Sequence, residues 1–369
     1  MNFDQAPILV FWETTRACEL ACRHCRAEAM PEPSPEELTT SEGCHLIEQL
    51  AGFGPRPPVL ILTGGDVMSR PDLVPLVAAA RHVGLPVALA PSVTPRLKPS
   101  ALVEMRGLGL SSISLSLDGA TAATHEGIRG VQGHFAGTVS VLHELGSLGF
   151  KVQVNTAVMA ANVDELADIA AIVRDVGAAS WEVFFLVHVG RGRDEQELSG
   201  RENEDVAHFL FEASHYGFAV RTVEGPWCRR VAAWRRAAPP GVSPAAAFGL
   251  GPLYERQSSR LRELLGPPTG SPQMPSAGTR DGKGIFFVAN DGWAYPAGFL
   301  PLRLGNVRHE NPVDIYRDHP LLRAVRTAQF GGRCGRCEFR DQCGGSRARA
   351  FASSGDPLAE DPACAYVPA

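Results

Sequence analysis

The chain has 369 residues, 44% of them hydrophobic, and a formal net charge of −5, enough for one large core or two smaller ones of ~100–200 residues each. The negative balance leaves no global positive field to recruit nucleic acid or an anionic membrane surface. No apolar run approaches the ~20 residues of a membrane-spanning helix, so neither nucleic acid nor membrane is expected as a partner.

Predicted strands and helices alternate from the first residues onward. Apolar, β-branched runs at Ile8–Trp12, Val59–Leu62, Val87–Leu89, Ile113–Leu117, Val152–Val158 and Trp181–Val187 are separated by helix-like segments such as Ser41–Ala51 and Asp72–Val83. Thr40 or Ser41 before Glu42, and Asn162 before Asp164 and Glu165, read as helix caps, and Gly84, Gly149 and Gly177 read as stops. Six strand–helix units imply a parallel sheet with its chemistry at the carboxyl ends of the strands, an α/β partial (β/α)6 barrel over residues 1–225. Residues 226–280, dense in Pro, Gly, Ala and Ser, read as an irregular connector with one helical piece at Tyr254–Leu265. Order resumes with GIFFVANDGWAYP, whose Asp291-Gly292 signals a hairpin, and residues 281–369 form a small C-terminal domain with a short helix near Pro312–Arg326.

The nine cysteines, at 18, 22, 25, 44, 228, 334, 337, 343 and 364, fall into two groups near the ends and two isolated residues. That is no disulfide framework. With no basic-then-apolar leader before Asp4, the expected compartment is the reducing cytoplasm, where clustered thiols hold metal or do redox chemistry. The first group, C-x3-C-x2-C at Cys18, Cys22 and Cys25, follows the first strand. Three thiolates underfill a tetrahedral zinc site unless a fourth ligand such as His24 joins them. On a cubane [4Fe–4S] cluster they leave one iron open for an exogenous ligand. The second group, Cys334, Cys337 and Cys343 in C-x2-C-x5-C followed by Cys364, offers four thiolates, which suit zinc or a fully ligated [4Fe–4S] cluster.

The cysteine triplet, its place after the first strand and the units that follow resemble the radical S-adenosylmethionine (SAM) superfamily. In that family the amino and carboxylate groups of SAM chelate the open iron. Thr63-Gly64-Gly65-Asp66, after the second strand, resembles the Gly-Gly-Glu motif that holds the SAM amino group, with Asp66 in place of Glu. The resemblance implies a ribose contact from Ser116 in SISLSLDGA, a SAM contact from Asn155 in VQVNTAV, and an adenine border at His24. The C-terminal hairpin, GNVR and the second cysteine group resemble the SPASM domain that carries auxiliary [4Fe–4S] clusters. Ala297 and Ser346 stand where a second auxiliary cluster would need cysteines, so the pattern implies one auxiliary cluster and two [4Fe–4S] clusters in all. VFWETTRACELACRHCRAEA and CGRCEFRDQCGGSRARAFASSGDPLAEDPACAY are most similar to the anaerobic haem-synthase-like branch, whose enzyme oxidatively decarboxylates propionates of an iron porphyrin.

Membership would imply a SAM-dependent enzyme taking a hydrogen atom from a C–H bond of a small-molecule or natural-product substrate. It would draw electrons from a donor such as a flavodoxin or ferredoxin. The fate of the substrate radical turns on the spare thiols. Cys44 lies on the apolar side of the first helix, a packing position. Cys228 follows the core strands in VEGPWCRRVAAW, where a free thiol is more commonly a small buried hydrophobe but can also return a hydrogen atom from the opposite face; the sharpest version of the expected function is a sugar epimerase, as in antibiotic biosynthesis, with catalytic Cys228. The alternatives are oxidative decarboxylation of a haem or tetrapyrrole propionate, or peptide maturation. Arg191, Arg193, Arg229, Arg230, Arg347 and Arg349 are candidates for clamping substrate carboxylates, and His188 is the titratable group nearest the end of the sixth strand.

Overall fold

The computed structural model describes residues 2–239 and 241–368. Strands and helices alternate as β1 (Leu9–Glu13), α1 (Thr40–Ala51), β2 (Val59–Thr63), α2 (Leu73–His82), β3 (Val87–Leu89), α3 (Pro99–Gly107), β4 (Ser112–Ser116), α4 (Ala122–Arg129), α5 (His134–Ser147), β5 (Lys151–Val158), α6 (Leu166–Asp175), β6 (Ser180–Phe185), α7 (Gly200–Ala213) and β7 (Ala219–Val223). Helices α8 (Cys228–Ala237), α9 (Pro244–Phe248) and α10 (Pro252–Leu265) lead to strands β8 (Ile285–Val288), β9 (Trp293–Tyr295) and β10 (Gly305–Asn306). The chain ends with α11 (Pro312–Asp318), α12 (Pro320–Arg326), α13 (Gly332–Arg336) and α14 (Arg347–Ser354).

All ten strands share one sheet, ordered β10-β9-β8-β1-β2-β3-β4-β5-β6-β7. Every neighbouring pair from β8 to β7 is parallel, so each connection crosses over and the strand carboxyl ends gather at one rim. The pleat sorts side chains by parity. On β5, Val152, Val154, Thr156 and Val158 are buried in the core beneath the helices. Lys151, Gln153 and Asn155 face the barrel interior. This is the expected α/β partial barrel.

Three local expectations change. A seventh parallel strand, β7, pairs with β6; its apolar run is short and broken by the exposed Arg221, which hides it from a pattern search. The stretch from 226 to 280 carries three helices rather than one. Helix α8, CRRVAAWRRA, is rich in Arg and low in apolar content, and α10 is docked on the barrel by Gln257, which accepts from Ala167 N–H and donates to the Asp164 carbonyl, both at 2.8 Å. Thr39, not Thr40 or Ser41, caps α1 in a capping box with Glu42, and Asn162 spends its side chain on the Asp118 and Ala157 carbonyls instead of capping. The C-terminal hairpin adds to the free edge of β1, with Leu9 opposite Ile285, so the segment carrying the last four cysteines is tied directly to the strand that leads into the first three.

Candidate functional site

The loop after β1 is closed on itself before it presents any thiol. Cys18 N–H donates to the Met30 carbonyl at 2.7 Å and Met30 N–H to Arg16 at 2.9 Å. Gly65 and Asp66 lay their backbone N–H groups on Thr15 and Ala17 at 2.8 and 2.7 Å. The approach needs glycine: a Cβ on Gly64 would sit 2.5 Å from the Thr15 carbonyl oxygen, and one on Gly65 2.5 Å from that of Ala17. Cys18, Cys22 and Cys25 then line one cavity of ≈ 220 Å³ together with His24, Gly64, Gly65, Ser116 and Asn155. Burial raises the Cys18 and Cys22 thiols above their ordinary value. A metal's charge is what would convert them to thiolates. Leu20 N–H already donates to Cys18 Sγ (3.4 Å) and Arg129 Nη1 to Cys22 Sγ (3.6 Å).

The wall behind the thiols is organised by Asp118, at the end of β4 and wholly buried. It accepts from Ala157 N–H at 2.8 Å, ion-pairs with Arg129 and lies 3.5 Å from His24 Nε2. Burial is the largest single influence and pushes its pKa up, but the Arg129 guanidinium, His24 and the Ala157 N–H together outweigh it and hold the carboxyl below the ordinary range. His24, pushed down to about 4 by burial, is neutral at physiological pH. The Asp118 backbone N–H donates to His125 Nδ1 (3.1 Å), and His125 Nε2 meets His134 Nδ1 at 2.7 Å.

Asp66 departs from the expectation. Its carboxylate is fully buried, accepting from Met68 N–H, Ser92 N–H and Thr94 Oγ1 at 3.1, 3.2 and 2.7 Å, and it does not line the cavity. One methylene shorter than Glu, it turns onto its own backbone and positions Ser92, which does line the cavity. Sequence reading missed Arg129, whose place in the last turn before Gly130 looks like an ordinary helix end. Arg191 reaches the cavity by donating to the Cys22 and Ala29 carbonyls at 2.8 and 3.2 Å.

A second cavity, of ≈ 500 Å³, fills the barrel interior. It shares Arg26, Thr63, Ser114, Asn155, Phe184 and Phe299 with the first and extends to Gly345 and Ser346. Lys151, Arg221 and Glu182 face it from the barrel strands, and Arg229, Arg280, Glu224 and Asp281 from the C-terminal side. Glu224 is buried with φ of 55°, a conformation a non-glycine residue holds only when its surroundings impose it. Its carboxyl accepts from Ser346 Oγ, and Asp281 accepts from Ala348 N–H at 3.0 Å. Burial raises both carboxyls above the usual range, and the charge of Asp281 adds to the rise at Glu224. Residues 57 positions apart give no sequence signal for such a pair.

The C-terminal cysteines converge on a third, small cavity of ≈ 30 Å³ lined by Cys334, Cys337, Cys343 and Cys364. Backbone N–H groups aim at the sulfurs: Asp361 at Cys334 (3.4 Å), Phe339 at Cys337 (3.4 Å) and Gly345 at Cys343 (3.5 Å). Gly345 has φ of 67° and leaves room for the thiols, since a Cβ there would lie 2.9 Å from Cys334 Sγ. Burial pushes Cys343 up to about 12 and Cys364 up to about 11. Four thiols round one cavity, three of them with amide N–H groups aimed at their sulfurs, are a donor set that fits an iron–sulfur cluster.

The structure does not bring Cys228 to this chemistry. It opens α8, is fully buried in the hydrophobic core and lines none of the three cavities. Burial drives its thiol pKa far up. His188 also lies outside them, its Nε2 3.2 Å from the Glu195 carbonyl. Cys44 packs against the core, as its helical position implied. Among the described residues no helix is long and apolar enough to cross a membrane.

Residues 12–176 match the profile of the Radical SAM superfamily. An "AdoMet-dependent heme synthase" of Methanosarcina barkeri is 32% identical over 365 residues, 98% of this chain and 97% of the relative. One of Nitratidesulfovibrio vulgaris is 35% identical over 98% of this chain and 92% of its own length. The crystal structure of Streptococcus suis SuiB bound to the precursor peptide SuiA superposes with a TM-score of 0.70 at 14% identity, covering 98% of this chain and 76% of that one, a likeness of fold.

Proposed function

The chain belongs to the radical SAM superfamily, in the haem-synthase-like branch, and from that premise we propose that it oxidatively decarboxylates propionate side chains of a haem-type tetrapyrrole. It is a radical SAM enzyme and uses SAM with a [4Fe–4S] cluster, and in this proposal Cys18, Cys22 and Cys25 would be its ligands. A second cluster at Cys334, Cys337, Cys343 and Cys364 is part of the proposal. When bound, these groups supply a carbon radical that removes a hydrogen atom and a centre that takes up one electron.

The chain's own residues do the positioning. Gly64 and Gly65 keep the backbone close enough to form the floor of the SAM cavity. Ser116 and the amide of Asn155 offer polar contacts to SAM, and neutral His24 borders it without adding charge. Arg191, which lines the cavity beside the Asp118-paired Arg129, would suit a carboxylate of SAM. Lys151 and Arg221, at the far end of the barrel interior, suit the remaining carboxylates of a multiply acidic substrate, and Phe184, Phe299 and the buried walls keep water from a reactive carbon. An external one-electron donor such as a flavodoxin or ferredoxin completes the scheme. Residues 1–225 would then start the reaction and residues 281–369 finish it, with 226–280 packing the two together.

The observation that carries this reading is the continuity of the cavities. The ≈ 500 Å³ interior shares its wall with the SAM cavity at one end and Gly345 with the C-terminal cysteine cavity at the other. That volume suits a substrate of macrocycle size. A substrate radical formed there has an electron acceptor close by and no thiol facing it from Cys228, which supports oxidation over epimerisation, as do full-length relatives named as haem synthases. Cys228→Ala should therefore retain product formation within about twofold, measured as product per 5′-deoxyadenosine. Loss of product with 5′-deoxyadenosine still forming would reinstate the thiol as a hydrogen-atom donor.

A further inference from the structure

Three arginines around the C-terminal cysteines are buried and form no ion pair within 4.0 Å among the described residues. Arg347 is 0%, Arg280 5% and Arg229 9% exposed. Arg347 donates to the carbonyls of Gly345, Pro357 and Ala359 at 3.2, 3.1 and 2.6 Å and stacks on Phe330. Arg280 donates to the carbonyls of Arg340, Asp341, Cys343 and Val325, and Arg229 to those of Gln342 and Thr279. Their neighbours differ: Arg230 pairs with Glu204 at 2.6 Å, and Arg349 stands 3.6 Å from both Glu197 and Asp361. Carbonyl dipoles solvate a guanidinium without neutralising it, and an uncompensated buried charge is costly. Buried Asp281 acts on Arg229 and Arg347, and the cysteine set is a further source of compensating charge, where Arg347 Nη2 lies 3.7 Å from Cys334 Sγ and Arg280 bonds the Cys343 carbonyl.

We propose that Arg229, Arg280 and Arg347 form a cationic cage that raises the reduction potential of the auxiliary cluster and poises it to accept the substrate's electron. The proposal rests on reading Cys334, Cys337, Cys343 and Cys364 as cluster ligands. Four thiolates on a [4Fe–4S] core carry a double negative charge in the oxidised form and a triple one after reduction. Fixed positive charges in a low-dielectric shell favour the more negative state. The demand for such an acceptor follows from the balance of the reaction. A propionate that has lost a hydrogen atom breaks its bond to the carboxylate carbon, releasing CO2. The two remaining carbons form a double bond, and one electron is left over. The oxidised cluster takes that electron and is reduced by one unit. No proton or further oxidant is needed.

The test is a potentiometric titration, followed by electron paramagnetic resonance, of the full-length protein loaded anaerobically with iron and sulfide. Arg347→Met and Arg280→Met should each lower the equilibrium constant for reducing the auxiliary cluster at least tenfold, about 59 mV for a one-electron couple. Arg347→Lys and Arg280→Lys, which keep the charge, should stay within about threefold of wild type, and the SAM-binding cluster should not move. Arg229→Met provides the same readout should either of the other Met variants not load. An unchanged potential in loaded Met variants overturns the cage, as does a Lys variant falling as far as its Met counterpart. Zinc without sulfide at the C-terminal cysteines overturns instead the cluster reading on which the cage rests.

Discussion

Cys22→Ala should abolish 5′-deoxyadenosine formation, whereas Cys337→Ala should leave it running and abolish the decarboxylated product. Each loss is expected to reach at least about 10³-fold, some 4 kcal/mol of barrier. The two thiols belong to different cavities, and each would hold chemistry the other cannot replace. Removing Cys22 also strips Arg129 of one of its partners, so SAM binding should weaken together with cleavage. Removing Cys337 leaves the Asp118 wall untouched and takes away only the electron acceptor. The separation is read by chromatography of 5′-deoxyadenosine beside mass spectrometry of the product. Equal loss of both in Cys337→Ala, with iron at the first site intact, would show that the C-terminal cysteines do not act after hydrogen abstraction.

Asp118→Ala should be among the most destabilising single changes outside the cysteines, costing about 3–5 kcal/mol. It would leave Arg129, itself buried, without its anion, and orphan the Ala157 N–H. Asp118→Asn keeps an acceptor for that N–H and should cost less, while still losing the charge. The sign of the pH dependence follows from the shifts. Asp118 is held below its unfolded value, so its contribution is complete above about pH 3.9 and is lost as pH falls below it. His24 and His125, lowered to about 4 and about 3, bind protons more readily when unfolded, so stability falls as pH drops below about 6.5. Thermal melts of the apoprotein should decline first in the histidine window. Only below it should the wild type lose the advantage it holds over Asp118→Asn.

Much of this was legible where the signal is local. Cysteine spacing, the Gly64-Gly65 turn and the alternation of strand and helix need only neighbouring residues, and each reappears in the fold. Gly84, Gly149 and Gly177 take positive φ just after helices, as their stop positions implied. What was not legible depends on distance along the chain. Glu224 meets Ser346 across 122 positions, and Arg129 meets Cys22 across 107. The turn of Asp66 away from the cavity was not legible, because motif position does not reveal which way a short carboxylate points. For Cys228 the sequence leaves packing and hydrogen-atom return both open, and the buried side chain follows the commoner behaviour of a free thiol.

The account is tested most directly by incubating the iron-loaded enzyme anaerobically with SAM, a one-electron reductant and a propionate-bearing iron porphyrin, and weighing the product. It predicts loss of CO2 and two hydrogen atoms from each converted side chain, with one 5′-deoxyadenosine formed per loss. Porphyrin recovered with every carboxyl group in place while 5′-deoxyadenosine accumulates would contradict it.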